Sequence, residues 1–192
     1  MTPFRSRLRT VLLAACCLAA FALLWRGRDV AAEMRVDALA RAAYSRGAAM
    51  QADRRYAEAA AAYREAIAIS PRATAAYEGL GEAEFRLGHV DEAVAAYRRL
   101  MAAYPYAYLS ELHRQVGLLE LKAGRLPEAA RDLGEAVILD PADWQALYWL
   151  GHAHERLGNR EAALRAWRRV AAINPAFTPV REQLRRLHGP RP

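Results

Sequence analysis

The stretch Trp144–Pro175, WQALYWLGHAHERLGNREAALRAWRRVAAINP, decides how the chain is read. Leu147, Leu150, Ala153 and Leu157 recur at helical spacing, and Leu164, Trp167, Val170 and Ala171 do so again, which predicts two amphipathic helices. Gly158-Asn159 supplies the turn between them, with Asn159 placed to cap the second helix. Asn174-Pro175 ends that helix, because a residue before proline is pushed out of the helical region. The predicted unit is a helical hairpin.

Three earlier stretches repeat the unit. Pro71, Pro105, Pro141 and Pro175 close successive segments at spacings of 34, 36 and 34 residues. Gly47, Gly81, Gly117 and Gly151 stand 24 residues before each proline, and Ala59, Ala93, Ala129 and Ala163 stand 12 before. A large side chain follows each alanine, at Tyr63, Tyr97, Leu133 and Trp167. A mid-helix glycine costs about 1 kcal/mol relative to alanine, so its recurrence marks a place where a neighbouring helix comes close.

These columns resemble the tetratricopeptide repeat, whose pattern of aromatic or Leu, Leu-Gly, Ala, aromatic and Pro is matched by Leu147, Leu150-Gly151, Ala163, Trp167 and Pro175. The resemblance covers about residues 40–177. It implies an all-α, right-handed solenoid of four helical hairpins, at 40–73, 74–107, 110–143 and 144–177. After it, Thr178-Pro179 opens a capping helix with Val180, Leu184 and Leu187 on one face and arginines on the other, and 178–192 forms that helix and a tail.

The first repeat is the poorest copy. Arg46 stands where the others carry Leu80, Val116 and Leu150, and Arg54 replaces the turn glycines Gly88, Gly124 and Gly158, so its first helix is expected to be partly exposed. Tyr104, Tyr106 and Tyr108 lie at the junction with the longer spacing, where aromatics are expected to fill the step between stacked helices. Ser110 offers a cap for the helix that follows. Gly134, inside a helix, has no counterpart in the other segments.

Ahead of the repeats, Arg5, Arg7 and Arg9 precede the uncharged apolar run Val11–Trp25, and Arg26 and Arg28 follow it. This predicts a membrane-targeting segment over 1–28, joined to the first repeat by a connecting helix over 29–39. The run spans about 22 Å as a helix, short of the ~30 Å hydrocarbon core, so its flanks must help. Three fates stay open: an uncleaved signal anchor, cleavage after Ala22 to leave a secreted or periplasmic domain, or acylation at Cys16, because Leu13-Ala14-Ala15-Cys16 resembles a lipoprotein box. As an anchor, three arginines before the span against two after it place the repeats in the periplasm, on the outer side of a cytoplasmic (inner) membrane crossed once. Cys16 and Cys17 are the only cysteines, so the repeats carry no disulfide.

The net charge is +7, and the basic side chains are arginines apart from Lys122. They are spread through helices, with no basic stripe interleaved with aromatics, which argues against nucleic acid as a partner. No nucleophile with a base and an orienting group, no phosphate loop and no haem-attachment motif is present, so neither enzyme activity nor a cofactor is expected. His152 and His154 point about 200° apart on a helix and cannot share an ion, while His89, His113 and His188 stand alone in the sequence; all five are read as ordinary polar positions.

The resemblance implies peptide capture on the concave face lined by the first helix of each hairpin. Spacing from the glycine column places Tyr44, Glu78, Arg114 and Tyr148 there, then His152, then Arg86, Lys122 and Arg156 as a basic column. Asparagines, which clamp a carboxylate in some family members, are absent from these positions. The expected partner is a protein or peptide, with acidic character suggested by the basic column.

Overall fold

The computed structural model describes residue 30 and residues 32–104 and 108–188. Among them are nine helices and no strand. A long helix, α1 over 32–52, is followed by α2 (Tyr56–Ile69), α3 (Thr74–Arg86), α4 (Val90–Ala103), α5 (Leu109–Lys122), α6 (Leu126–Leu139), α7 (Trp144–Arg156), α8 (Arg160–Ile173) and α9 (Thr178–His188). Consecutive helices pack on one another, giving four hairpins in series and α9 against α8. The expected membrane span over 1–28 and the acylation site Cys16 lie outside the described residues, as does Tyr106. Among the described residues no helix is long and apolar enough to cross a membrane.

Each hairpin turns by the same backbone device. Gly88, Gly124 and Gly158 adopt φ of +85°, +80° and +80°. Beyond each, one amide reaches back to the last turn: His89 N to Glu84 O, Arg125 N to Glu120 O and Asn159 N to His154 O, at 2.8–2.9 Å. These bonds satisfy carbonyls that the helix end leaves open, and they need a left-handed residue in between. In the first repeat Arg54 takes that conformation at φ +59°, and Arg55 N still bonds Met50 O at 2.8 Å. At the other end of the hairpins, α2, α6 and α8 stop two residues before Pro71, Pro141 and Pro175.

The glycine column has a steric reason. A Cβ on Gly47 or Gly117 would lie 2.8 Å from the Tyr63 ring or 2.6 Å from Leu133 Cγ, and at Gly81 and Gly151 the rings of Tyr97 and Trp167 are closer still. The large side chain of each second helix therefore presses onto the glycine of the first. Trp167 is fully buried there, and its Nε1 donates to the Tyr148 carbonyl at 3.0 Å. Ala59, Ala93, Ala129 and Ala163 are fully buried as well. Gly134 differs: a Cβ there would meet open space.

Several local expectations are corrected. Asn159 occupies the N-cap of α8, but its side chain makes no capping bond; the cap bonds form instead at Asp143, whose Oδ1 accepts from Gln145 N and Ala146 N. Ser110 does not cap α5, which begins one residue earlier; its hydroxyl donates to the Ala136 carbonyl at 3.1 Å and so ties α5 to α6. Tyr104 fills the junction as expected and donates its hydroxyl to the Arg72 carbonyl at 3.2 Å. Tyr108 does not fill it: the side chain is 81 % exposed. Arg46 is exposed and pairs with Glu65 at 2.6 Å, so the first helix of the first repeat carries a solvated ion pair where other repeats carry core.

Candidate functional site: the face of the first helices

The helices α1, α3, α5, α7 and α9 stand side by side, and the contacts between them trace one continuous face. Between α1 and α3 a hollow of about 420 Å³ is lined by Tyr44, Ala48, Gln51, Tyr63, Glu82 and Arg86 among others. Lys122 Nζ of α5 lies 5.5 Å from the centre of the Phe85 ring of α3. Arg156 Nη1 of α7 donates to the Leu121 carbonyl of α5 at 2.9 Å. Arg114 Nε of α5 donates to Asp143 Oδ2, the cap of α7, at 2.9 Å. Arg186 of α9 pairs with Glu155 of α7.

The basic column of the sequence is therefore present but engaged. Arg86 donates to Glu82 Oε1 at 2.6 Å within its own helix, Lys122 sits by Phe85, and Arg156 is held by a carbonyl. Arg114 is held by two carboxylates, those of Glu111 and Asp143. The contacts of Lys122 with Phe85, Arg156 with the Leu121 carbonyl and Arg114 with Asp143 join adjacent first helices, so the column is a set of struts as much as a row of free cations. The solvated Arg86–Glu82 pair contributes little to stability, whereas Arg114 and Asp143 are largely buried.

The two ends of the face differ. Tyr44 is half-buried, its ring 5.7 Å from that of Tyr63, and it borders both the hollow above and a second one of about 480 Å³ with Asp37, Arg41 and Arg72 at its rim. Tyr148 and His152 instead belong to an aromatic cluster. Tyr148 stands edge-on to Trp149, His152 and Phe177 at 4.6–5.1 Å between centroids, and His152 is 5.2 Å from Trp167. Burial, more than any charge, pulls the His152 imidazole below its ordinary value; Glu155 opposes this and Arg186 adds to it. These two residues serve the packing of α7 against α8 and the α8–α9 connection before they serve a ligand.

Glu78 is the remaining site residue. It is exposed on α3, and among the described residues it has no salt bridge. Its charge, with that of Glu82, adds to burial in pushing the Tyr97 hydroxyl up to about 12.

A second set of polar residues was not singled out from the sequence. Three residues past the glycines stand Glu84, Glu120 and His154. Glu84 is 1 % exposed, pairs with Arg64, and its Oε2 accepts from His89 Nδ1 at 2.9 Å. Glu120 is 2 % exposed beside buried Asp132, whose Oδ1 lies 3.0 Å from His113 Nδ1. His89 and His113, solitary in the sequence, are thus partnered. Among the described residues His154 Nδ1 is buried without a hydrogen-bond partner, and burial lowers its pKa, so this is not an ordinary polar position. The clue in the sequence was the column itself: an acid recurring at one repeat position. Among the described residues no group of three or more His, Cys, Asp or Glu side chains could hold a metal ion.

Two sequence profiles of the tetratricopeptide repeat match residues 50–116 and 117–177, end to end. This chain belongs to the tetratricopeptide-repeat family. Among solved structures, this repeat chain is similar to MamA from Desulfovibrio magneticus, with a TM-score of 0.67, 19 % identity and coverage of 78 % of this chain and 84 % of that one. It is also similar to YrrB, described as a tetratricopeptide-repeat protein with an unusual peptide-binding site, with a TM-score of 0.59, 19 % identity and coverage of 76 % and 74 %. At these identities the likeness is one of fold. In sequence, the repeats are 32 % identical over 119 residues to the cytochrome c-type biogenesis protein CycH of Rhizobium meliloti, covering 59 % of this chain and 30 % of that protein. The chain spans 12–30 % of the length of the relatives it matches.

Proposed function

We propose that this chain is a non-enzymatic adaptor that holds segments of partner proteins along the face of α1, α3, α5 and α7. The observation that carries this reading is the row of first helices, open and lined by side chains at the α1–α3 end. Proteins of this family bind protein or peptide partners, and YrrB is a solved example of the fold with a peptide-binding site.

The further terms of the proposal rest on the sequence. Val11–Trp25 tethers the chain once through a bacterial cytoplasmic membrane, with the repeats in the periplasm, where it serves the assembly of an envelope complex. The biogenesis role in the name of CycH supports an assembly duty. An exported soluble chain, a Cys16-acylated chain, and a non-catalytic subunit of a membrane enzyme are the competing terms.

The test is copurification of the full chain from detergent-solubilised membranes, compared with Ala48→Arg, which puts a long charged side chain into the α1–α3 hollow. Partners recovered with the wild type should be lost with the variant, at an unchanged thermal melt. Equal recovery of the same partners would remove the groove from the function. A reporter active only outside the cytoplasm, fused after Pro192, should give signal from the membrane fraction; a silent fusion overturns the topology, and a signal in the soluble fraction selects the exported form.

A further inference from the structure

The junction between the second and third repeats differs from its neighbours. It is the step with the longer proline spacing, 36 residues in place of 34, and α4 and α5 pack more sparsely than α2 and α3 or α6 and α7. At its edge lies a cavity of about 210 Å³ lined by Thr74, Glu78, Leu100, Tyr104, Tyr108 and Leu112. Leu100 and Leu112, each 3 % exposed overall, form its apolar base.

The corresponding hollows of the other two junctions carry more charged groups. Between the first and second repeats, Asp37, Arg41 and Arg72 line it, and between the third and fourth, Arg114 bridges to Asp143 across it. Here the lining is two leucines and two tyrosines with one threonine and one carboxylate.

Two features of that lining are unusual for mere packing. Tyr108 holds φ +56° and ψ +21°, a left-handed backbone that residues with a Cβ adopt seldom, and it does so as the N-cap of α5 with its side chain 81 % exposed. Glu78 carries a charge with no salt bridge among the described residues, one turn from Glu82, and both raise the pKa of buried Tyr97. An exposed aromatic and an unneutralised carboxylate thus flank one apolar cavity.

We infer that this cavity takes a bulky apolar side chain, leucine or an aromatic, from a partner segment that carries a lysine or arginine beside it. The volume is below the roughly 300–1,000 Å³ of pockets that take whole small molecules, and suits one side chain. The tyrosine rings supply broad contact at low entropic cost, and Glu78 supplies a charge-assisted hydrogen bond to the basic neighbour. The basic column, being engaged within the chain, does not compete for that role. The inference rests on the reading of this chain as a protein-binding adaptor and names the chemistry of the bound segment.

The test is selection of random linear peptides displayed on phage against the full chain, with Glu78→Gln/Tyr108→Ser as the subtracted control. Both sites are exposed, and circular dichroism confirms that each variant keeps the native melt. The selected peptides should pair Leu, Phe or Trp with an adjacent Lys or Arg, and their synthetic versions should bind Glu78→Gln roughly tenfold more weakly, as loss of a hydrogen bond to a charged group implies. Glu78→Lys should shift selection toward acidic neighbours. Peptides that bind both variants as they bind the wild type overturn the cavity while leaving an adaptor whose site lies elsewhere, and Ala48→Arg then locates it. Recovery of no binding peptide overturns both readings. Self-association of the wild type that the same substitutions abolish assigns the cavity to a second copy of this chain and overturns the inference.

Discussion

At Gly151 the indole of Trp167 lies where a Cβ would be, and the indole cannot retreat because it is fully buried and hydrogen-bonded to the Tyr148 carbonyl. Gly151→Ala should therefore cost about 1–3 kcal/mol, the range for overpacking a tight core. Gly134→Ala should do the opposite. Open space surrounds that position, so alanine should recover up to about 1 kcal/mol of helix propensity. Thermal melts of the two variants decide the matter: two changes of the same sign would mean that the glycine column is not explained by close approach.

Glu120 gives a pH dependence of defined sign. Burial first, and the charge of Asp132 next, raise its pKa from 4.5 to about 7, against the pull of Arg131 and Arg98. An acid that stays protonated in the folded chain and ionises in the unfolded one favours folding below its ordinary value, and that contribution is lost as pH rises toward 7. The wild-type melting temperature should fall between pH about 5 and about 8, while Glu120→Gln should melt higher than wild type at the upper end by a few degrees and show a flatter profile. Parallel profiles would mean that Glu120 is ionised in the folded chain. This residue also marks what the sequence hides: glycine, alanine and proline columns report backbone constraints that any reader can count, whereas the burial of Glu84, Glu120 and Asp132 depends on partners 20 or 12 residues away, such as Arg64 and Asp132 itself.

Among the elements, α9 closes the stack. Val180 is fully buried and Leu184 and Leu187 pack with it against Trp167, Val170 and Ala171, while Arg160 donates to the Leu187 carbonyl and Arg186 pairs with Glu155. Burial of a leucine side chain contributes roughly 1.5–3 kcal/mol. A chain ending at Phe177 should melt at lower temperature and associate through the uncovered face, as terminal repeats need a polar outer cover. An unchanged melt with a monomeric sedimentation profile would make α9 an appendage. This helix and the eight before it were legible because each starts or stops at a glycine, a proline or a change of periodicity. The caps were less so. Asn159 has the right residue type without the bond, and Asp143 has the bond, because side-chain capping turns on a local rotamer that spacing does not encode. Tyr108 was read as packing because junction aromatics serve that end; its left-handed backbone follows from the longer connection and is visible only in three dimensions.

For the whole molecule, four hairpins in series present one face made of first helices, and function is assigned to that face. The column arithmetic located its residues, since each stands at a fixed offset from a glycine. It did not foresee that Arg86, Lys122, Arg156 and Arg114 are engaged by neighbours within the chain, or that Tyr148 and His152 pack against Phe177 and Trp167, because those contacts depend on rotamers and on how neighbouring helices are placed. The most direct test is site-specific photocrosslinking of the full chain in the cells that produce it. A photoreactive phenylalanine analogue is placed singly at Tyr44, Glu78 or Lys122 on the face of first helices, and at Arg99 or Glu135, which are exposed on second helices. Adducts of one and the same partner should form from the first set and not from the second. Adducts confined to Arg99 and Glu135 would contradict the assignment of function to this face.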